Sequence, residues 1–235
     1  MNGKVYLIPS ALSDDDKASE ALPAYIVSAV KDCSVFFAEN KKSARRFLKK
    51  VFKEIVIDAY EWYEIDEAEK KIKKTFLHHL QEGKNIGIIS EAGCPGIADP
   101  GQLLVDAAQQ TGATLIPLVG PSSILLALMA SGMNGQCFQF VGYLPIESSA
   151  RKKTLKELEE YSRKKNCTQI FIETPYRNNQ LLHDILAVCK SETKLCIGAD
   201  ITSSAENIHT QKIREWKNSV PDLHKRPAIF LIYAS

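Results

Sequence analysis

The sequence predicts an α/β fold with parallel or mixed sheets, and three observations carry that expectation. Short β-branched runs alternate with amphipathic stretches from end to end. Gly- and Pro-rich turns punctuate them, and no sequence repeat, low-complexity tract or long linker interrupts them. At 235 residues, 45% apolar and 25% charged, the chain can bury a core as one large domain or two small ones. The weakest join lies around Val119–Ser122, which divides the chain into α/β domains 1–120 and 121–235. The loop near 144–150 is a poorer boundary.

The elements follow in order. Val5–Pro9 reads as a strand, Leu22–Cys33 as a helix, Val35–Glu39 as a strand and Lys42–Phe52 as a basic helix. Glu67–Gly83 places Ile72, Phe76, Leu77 and Leu80 at helical spacing, and Gly83 stands where a helix stops. Ile86–Ile89 is a strand, Gln102–Gln110 a helix and Thr114–Val119 a strand. Gly120-Pro121-Ser122-Ser123 opens an apolar helix, Ile124–Ala130, that Gly132 ends. The second half repeats the pattern: strand Phe138–Tyr143, charged helix Arg151–Lys165, strand Thr168–Glu173, helix Asn179–Cys189, and strands Leu195–Ala199 and Ala228–Tyr233.

Composition narrows the function. A net charge of +2 neither marks a nucleic-acid binder nor excludes one, because a local patch matters more than the total. No run approaches the roughly 18 apolar residues of a membrane span, and the opening apolar run is too short for a signal peptide. The six cysteines are scattered without a CxxC pair, and the five histidines do not space like a zinc site. Free thiols, a reducing cytoplasm and no metal are the expectation.

In open α/β sheets, ligands sit beyond the carboxyl ends of the strands. Three loops have unusual chemistry there. The first, SEAGCPGIADPG (residues 90–101), carries Gly93, Gly96 and Gly101, where backbone can approach a ligand. Pro95 and Pro100 stiffen it, and Glu91 and Asp99 can accept hydrogen bonds. As a plain turn it would have Asp99 cap the next helix, with Pro100 at the first helical position. The second is Gly120-Pro121-Ser122-Ser123, whose hydroxyls suit a helix cap or a ligand. The third is Glu173-Thr174-Pro175-Tyr176-Arg177, a polar site or a helix start. GxGxxG, the phosphate loop GxxxxGK[ST] and the GxSxG elbow are all missing, which argues against nicotinamide, nucleotide-triphosphate and hydrolase chemistry.

Taken together, these loops resemble the tetrapyrrole-methylase superfamily of S-adenosylmethionine-dependent methyltransferases. Within it the sequence is similar to the ribosomal RNA small subunit methyltransferase I branch, which methylates a cytidine ribose 2′-hydroxyl. The branch motif S-D-A-G-T-P-x-I-S-D-P-G corresponds to Ser90–Gly101. P-G-P-S-A and A-x-S-G-L correspond to Val119–Ser123 and Ala130–Met133. F-x-F-x-G-F-L-P, R-R-K and Y-E-S-P-H-R correspond to Phe138–Pro145, Arg151–Lys153 and Ile172–Arg177. The resemblance is dense from about 84 to 187. The branch's T-P-I-G-N is replaced after Pro9 by Ser10-Ala11-Leu12-Ser13, and E-D-T-R by Glu39-Asn40-Lys41-Lys42. R-E-L-T-K and H-E-E survive as fragments in Ala199–Ser203 and Ala205-Glu206.

The resemblance implies two α/β domains with the cofactor cleft between them, and a homodimer. It implies that S-adenosylmethionine is held by Pro9, Glu91, Gly93, Cys94, Ile97, Ala98, Ser122, Ser123, Glu173 and Ala228. Glu39, Arg151, Lys152, Tyr176 and Arg177 are the implied substrate contacts. The partner expected is small-subunit ribosomal RNA, with no membrane. Basic clusters Lys41-Lys42/Arg45-Arg46/Lys49-Lys50 and Arg151-Lys152-Lys153 could contact phosphates or be solvated helix faces. Arg163-Lys164-Lys165 reads as a solvated face. A ribose hydroxyl needs a proton acceptor. Glu39 and Glu173 stand at candidate positions, and no base is assigned. Three readings stay open: an RNA 2′-O-methyltransferase, a methyltransferase on a tetrapyrrole or small metabolite, and a non-catalytic paralogue that binds a partner.

Overall fold

The computed structural model describes residues 2–65 and 69–234. The chain divides into two compact units, Met1–Ser122 and Ser123–Ser235.

The N-terminal unit holds β1 (Lys4–Ile8), α1 (Ile26–Asp32), β2 (Val35–Ala38), α2 (Lys41–Val51), β3 (Glu61–Glu64), α3 (Glu69–Gln81), β4 (Ile86–Ile89), α4 (Gln102–Gln110) and β5 (Thr114–Pro117). Its sheet has the order β3-β2-β4-β1-β5, and every pairing is parallel. Strand side chains alternate between two cores. Tyr6, Ile8, Phe36 and Ala38 face α1 and α2 through Ile26, Val30, Ala44 and Leu48. Val5, Val35, Phe37 and Ile88 face α3 and α4 through Phe76, Leu80, Leu104 and Ala108. A parallel sheet covered on both faces needs such near-continuous apolar strands. The expected helix start at Glu67 lies outside the described residues, while Gly83 has φ +80, the left-handed stop expected of it.

The C-terminal unit holds α5 (Ser123–Ser131), β6 (Phe138–Tyr143), α6 (Ser148–Lys165), β7 (Thr168–Ile172), α7 (Asn178–Val188), β8 (Lys194–Ala199), β9 (Asn207–Lys212), α8 (Ile213–Trp216) and β10 (Ala228–Tyr233). Its sheet order is β6-β7-β10-β8-β9. Only β6–β7 is parallel; the other pairs are antiparallel. One core joins Leu155 of α6 and Leu181, Leu182 and Ile185 of α7 to Phe171, Ile197 and Phe230 of the sheet. On α5, Ala127 meets the sheet at Gly198, where an added Cβ would lie 3.4 Å from that of Ala127.

Three differences from the sequence reading have local causes. β3 is an additional edge strand whose Trp62 and Tyr63 stand opposite Phe36 and Phe37 in register, with ring centroids 4.8 and 5.1 Å apart. β9 is an additional, mostly polar edge strand along β8. α6 begins a turn earlier than Arg151 because Glu147 is the cap, accepting from the amides of Ser149 (2.9 Å) and Ala150 (2.7 Å). Those bonds hold its carboxyl down to about 2, with the Ser149 hydroxyl the largest cause.

Candidate functional site

The N-terminal sheet sets the position of the first loop. β1 leads through α1 to β2 on one side, whereas β4 leads through α4 to β5 on the other. The chain therefore leaves these adjacent central strands in opposite directions. Such a switch point opens a crevice at the carboxyl ends. There Ser10, after β1, and Gly93, after β4, form an isolated antiparallel bridge. The amide of Ser10 donates to the Gly93 carbonyl at 2.9 Å, and that of Gly93 to the Ser10 carbonyl at 3.1 Å. The buried Ser10 hydroxyl donates to the Ser90 carbonyl (2.6 Å), and the Ser90 hydroxyl to the Gly93 carbonyl (2.6 Å).

The second loop packs against this bridge. An added Cβ on Gly93, which has φ +75, would lie 3.3 Å from the Pro121 carbonyl oxygen. One on Gly120 would lie 2.2 Å from the Pro9 Cβ, so only glycine fits there. The Cys94 thiol points to the Pro121 carbonyl at 3.6 Å, and burial raises its pKa. The structure thus brings Pro9, Gly93, Cys94 and the loop before Ser122 together. Glu91, Ile97 and Ala98 are exposed around them. Ala98 has φ +58, uncommon for a residue with a Cβ.

Asp99 does not cap α4. Gly101 is the N-cap, at φ +117, and Asp99 turns to the end of β2 instead. There its carboxyl is pushed up to about 7, first by burial, then by a hydrogen bond to Glu39 and by the charges of Glu39 and Glu91. Burial and a neighbouring acidic group both disfavour the charged form of Asp99. Glu91 in turn accepts from the Ser43 hydroxyl at 2.6 Å. In the sequence Glu39 and Glu91 stand far apart, and Pro100 after Asp99 suggests only a helix cap there.

In the C-terminal unit, Glu173 follows β7 and is buried. Arg177 donates to it at 2.7 Å and the Thr174 amide at 2.7 Å. Burial alone would raise its pKa, but Arg177 and the amide outweigh that and hold it below the usual range. β10 runs antiparallel beside β7 with Ile229 opposite Ile172, so continuing the register sets Ala228 opposite Glu173. Tyr176 is exposed, with its ring 6.1 Å from that of His224. Ser123 opens α5. Among the described residues, no group of three His, Cys, Asp or Glu is placed to hold a metal ion.

No family model matches the chain. Curated relatives do. Over 217 residues, 91% of this chain and 70% of the relative, it is 30% identical to ribosomal RNA small subunit methyltransferase I of Escherichia coli. The chain belongs to the ribosomal RNA small subunit methyltransferase I family. It is also 36% identical over 150 residues to the Vibrio cholerae methyltransferase I, covering 64% of this chain and spanning about half (51%) of that relative. Solved structures share the fold at low identity. The methyltransferase CobJ matches with TM-score 0.64 at 14% identity, over 99% of this chain and 100% of that one. A uroporphyrin-III-C-methyltransferase of Thermus thermophilus matches with TM-score 0.56 at 16% identity, over 99% and 93%.

One expected contact of this methyltransferase I family member, Arg151, lies inside the C-terminal unit. Arg151 is 1% exposed, with its Nε 2.8 Å from Asp184 and its Nη1 2.7 Å from the Ile146 carbonyl. It anchors α6 to α7, with its side chain engaged inside the unit. Lys152 is half-exposed and reaches the same Asp184 at 3.3 Å. An Arg in a basic cluster reads as surface in one dimension; the buried Asp184 one helix away shows otherwise.

Proposed function

We propose that the chain is an S-adenosylmethionine-dependent methyltransferase that modifies a ribose 2′-hydroxyl of small-subunit ribosomal RNA. Membership of the methyltransferase I family, shared across nine-tenths of the chain with the Escherichia coli relative, carries this reading. The tetrapyrrole methyltransferases among the solved structures are 14–16% identical and speak for the fold alone.

The residues fit the cofactor. The left-handed backbone at Gly93 and Gly96 leaves peptide groups uncovered by Cβ. The carboxylates of Glu39, Glu91 and Asp99 suit a ligand with an ammonium and a sulfonium. Pro9, Glu91, Gly93, Cys94, Ile97, Ala98 and Ser122 would hold it from domain 1–120 and the segment after it, and Ser123, Glu173 and Ala228 from domain 121–235. Bound there, it supplies an activated methyl group for in-line displacement. The protein's task is to align the acceptor and exclude water. Asp99, pushed up to about 7, is suited to take the hydroxyl proton, because a base works best when its pKa lies near the working pH. Tyr176 and Arg177 would face the nucleotide.

A homodimer in the cytoplasm belongs to the same reading. Leu125 and Met129 on α5, with Phe138 and Tyr143 on edge strand β6, are exposed and suit a subunit interface. No helix among the described residues is long and apolar enough to cross a membrane.

Two titrations test the proposal: calorimetry with S-adenosylhomocysteine, and transfer of labelled methyl to small ribosomal subunits lacking the modification. One-site binding with label in the ribosomal RNA is the expected result. Binding without RNA labelling would move the acceptor to another molecule, and no binding by folded protein would leave a non-catalytic paralogue.

A further inference from the structure

A cavity of about 510 Å³ opens in the N-terminal unit beside the bridged loops. Its size suits a nucleotide or a small ligand. One wall is the segment Ser10–Asp14 that replaces the family's T-P-I-G-N. The facing wall is a single stripe of α2, Ser43, Arg46 and Lys50, and Glu91 borders it. Residues three and four apart share a helix face, so the sequence of α2 aims both cations at one space.

Charge decides what that space can take. α2 contains Lys41, Lys42, Arg45, Arg46, Lys49 and Lys50, and no acid. Three of these are engaged elsewhere in the unit. Lys41 lies 3.9 Å from Glu64, Arg45 lies over the Trp62 ring, and Lys49 donates to the Ile55 carbonyl. Arg46 and Lys50 line the cavity, and their partners come from the segment Asp14–Asp16 beside it, including the Asp14 carbonyl, which accepts from Lys50 at 2.9 Å. Arg46 meets Asp14 at 3.0 Å, and Lys50 meets Asp16 at 2.8 Å. The Asp14 side chain is 87% exposed and that of Asp16 fully exposed. Pairs this exposed contribute little to stability, so a competing anion can replace them at small cost. Lys42 continues the cationic face outside the cavity.

We propose that this cavity is a subsite for the phosphodiester backbone of the RNA acceptor, with Arg46 and Lys50 exchanging Asp14 and Asp16 for phosphate. The inference rests on the RNA reading above and deepens it. It gives the altered segment after Pro9 a role: a wall with a hydroxyl at Ser13 and an apolar contact at Leu12, facing a nucleotide beside the reacting one. Asp14 occupies the phosphate position in the free protein and competes with RNA.

The test is fluorescence anisotropy of the full chain with a labelled single-stranded oligocytidylate about 12 nucleotides long, repeated over a range of salt. Arg46→Gln/Lys50→Gln should bind about tenfold more weakly. Its log–log salt slope should be shallower by about 1.4, since each lost phosphate contact removes about 0.7. Asp14→Asn should bind more tightly, a gain that misfolding cannot mimic. Arg163→Gln/Lys164→Gln, whose cations pair with Glu160 on α6, should behave as the unmodified chain. Unchanged affinity and slope in the Arg46/Lys50 variant would overturn the subsite while leaving the RNA reading standing. No oligonucleotide binding by the unmodified chain at low salt would overturn both, and cofactor calorimetry would then show whether the methyltransferase reading survives.

Discussion

Ser10 and Gly93 exchange both backbone hydrogen bonds, at 2.9 and 3.1 Å, across the ends of β1 and β4. Two loops distant in sequence thereby become one surface. Gly93 must hold φ +75 to do so, and the second loop closes on it through Pro121.

Gly93→Val tests that surface. A left-handed backbone costs a residue with a Cβ about 1–2 kcal/mol, and a β-branched one is a clear outlier there. The expected result is roughly tenfold weaker S-adenosylhomocysteine binding by calorimetry, a loss of about 1.4 kcal/mol. An unchanged affinity in a variant that melts normally would count against the loop as cofactor site.

Gly120→Ala forces a Cβ to within 2.2 Å of the Pro9 Cβ. One of the two loops must move, and overpacking of this kind costs about 1–3 kcal/mol. Urea unfolding should show that loss, and Pro9→Gly in the same chain should recover part of it. Equal stability of the Gly120→Ala and unmodified chains would mean the loops do not abut.

Asp99→Asn removes a pH dependence of stability that has a defined direction. The Asp99 carboxyl titrates at about 7 when folded, against an ordinary 3.8. Its contribution is therefore full below about pH 4 and is lost as pH rises through 7. The variant should match the unmodified chain near pH 4 and melt at a higher temperature by pH 7. A constant difference in melting temperature across that range would refute the raised pKa of Asp99. If Asp99 takes the acceptor's proton, the variant should also lose the methyl-transfer pH step near 7.

Arg151→Leu leaves Asp184 buried without its main cation. Removing one member of a buried pair costs about 3–5 kcal/mol, visible as a shifted urea midpoint. Arg151→Leu/Asp184→Leu should recover much of it. Lys152→Gln, at the half-exposed neighbour, should change stability far less. If Arg151→Leu left stability intact and weakened only RNA binding, the structural role given to Arg151 would be wrong.

Local chemistry was legible where it acts over neighbouring residues. The spacing of Ile72, Phe76 and Leu80 with Gly83 behind them marks α3. The apolar run Ile86–Ile89 marks β4 at its observed limits. The motifs at 90–101, 119–123 and 172–177 point to the family that the relatives show. Spacing and backbone permissiveness are properties of the chain itself, so one dimension suffices to read them.

Only the tertiary structure decided the rest. β3 exists because Trp62 and Tyr63 pack on Phe36 and Phe37 of the neighbouring strand, and β9 because β8 offers it a partner. Edge strands carry little apolar pattern of their own. Asp99 looked like a helix cap until the fold brought Glu39 to it, and Arg151 looked like surface until α7 brought Asp184. A charged group's role is set by what desolvates and faces it, and those partners lie 60 and 33 residues away. Sequence alone determined which loops are unusual; folding decided which of their charges meet.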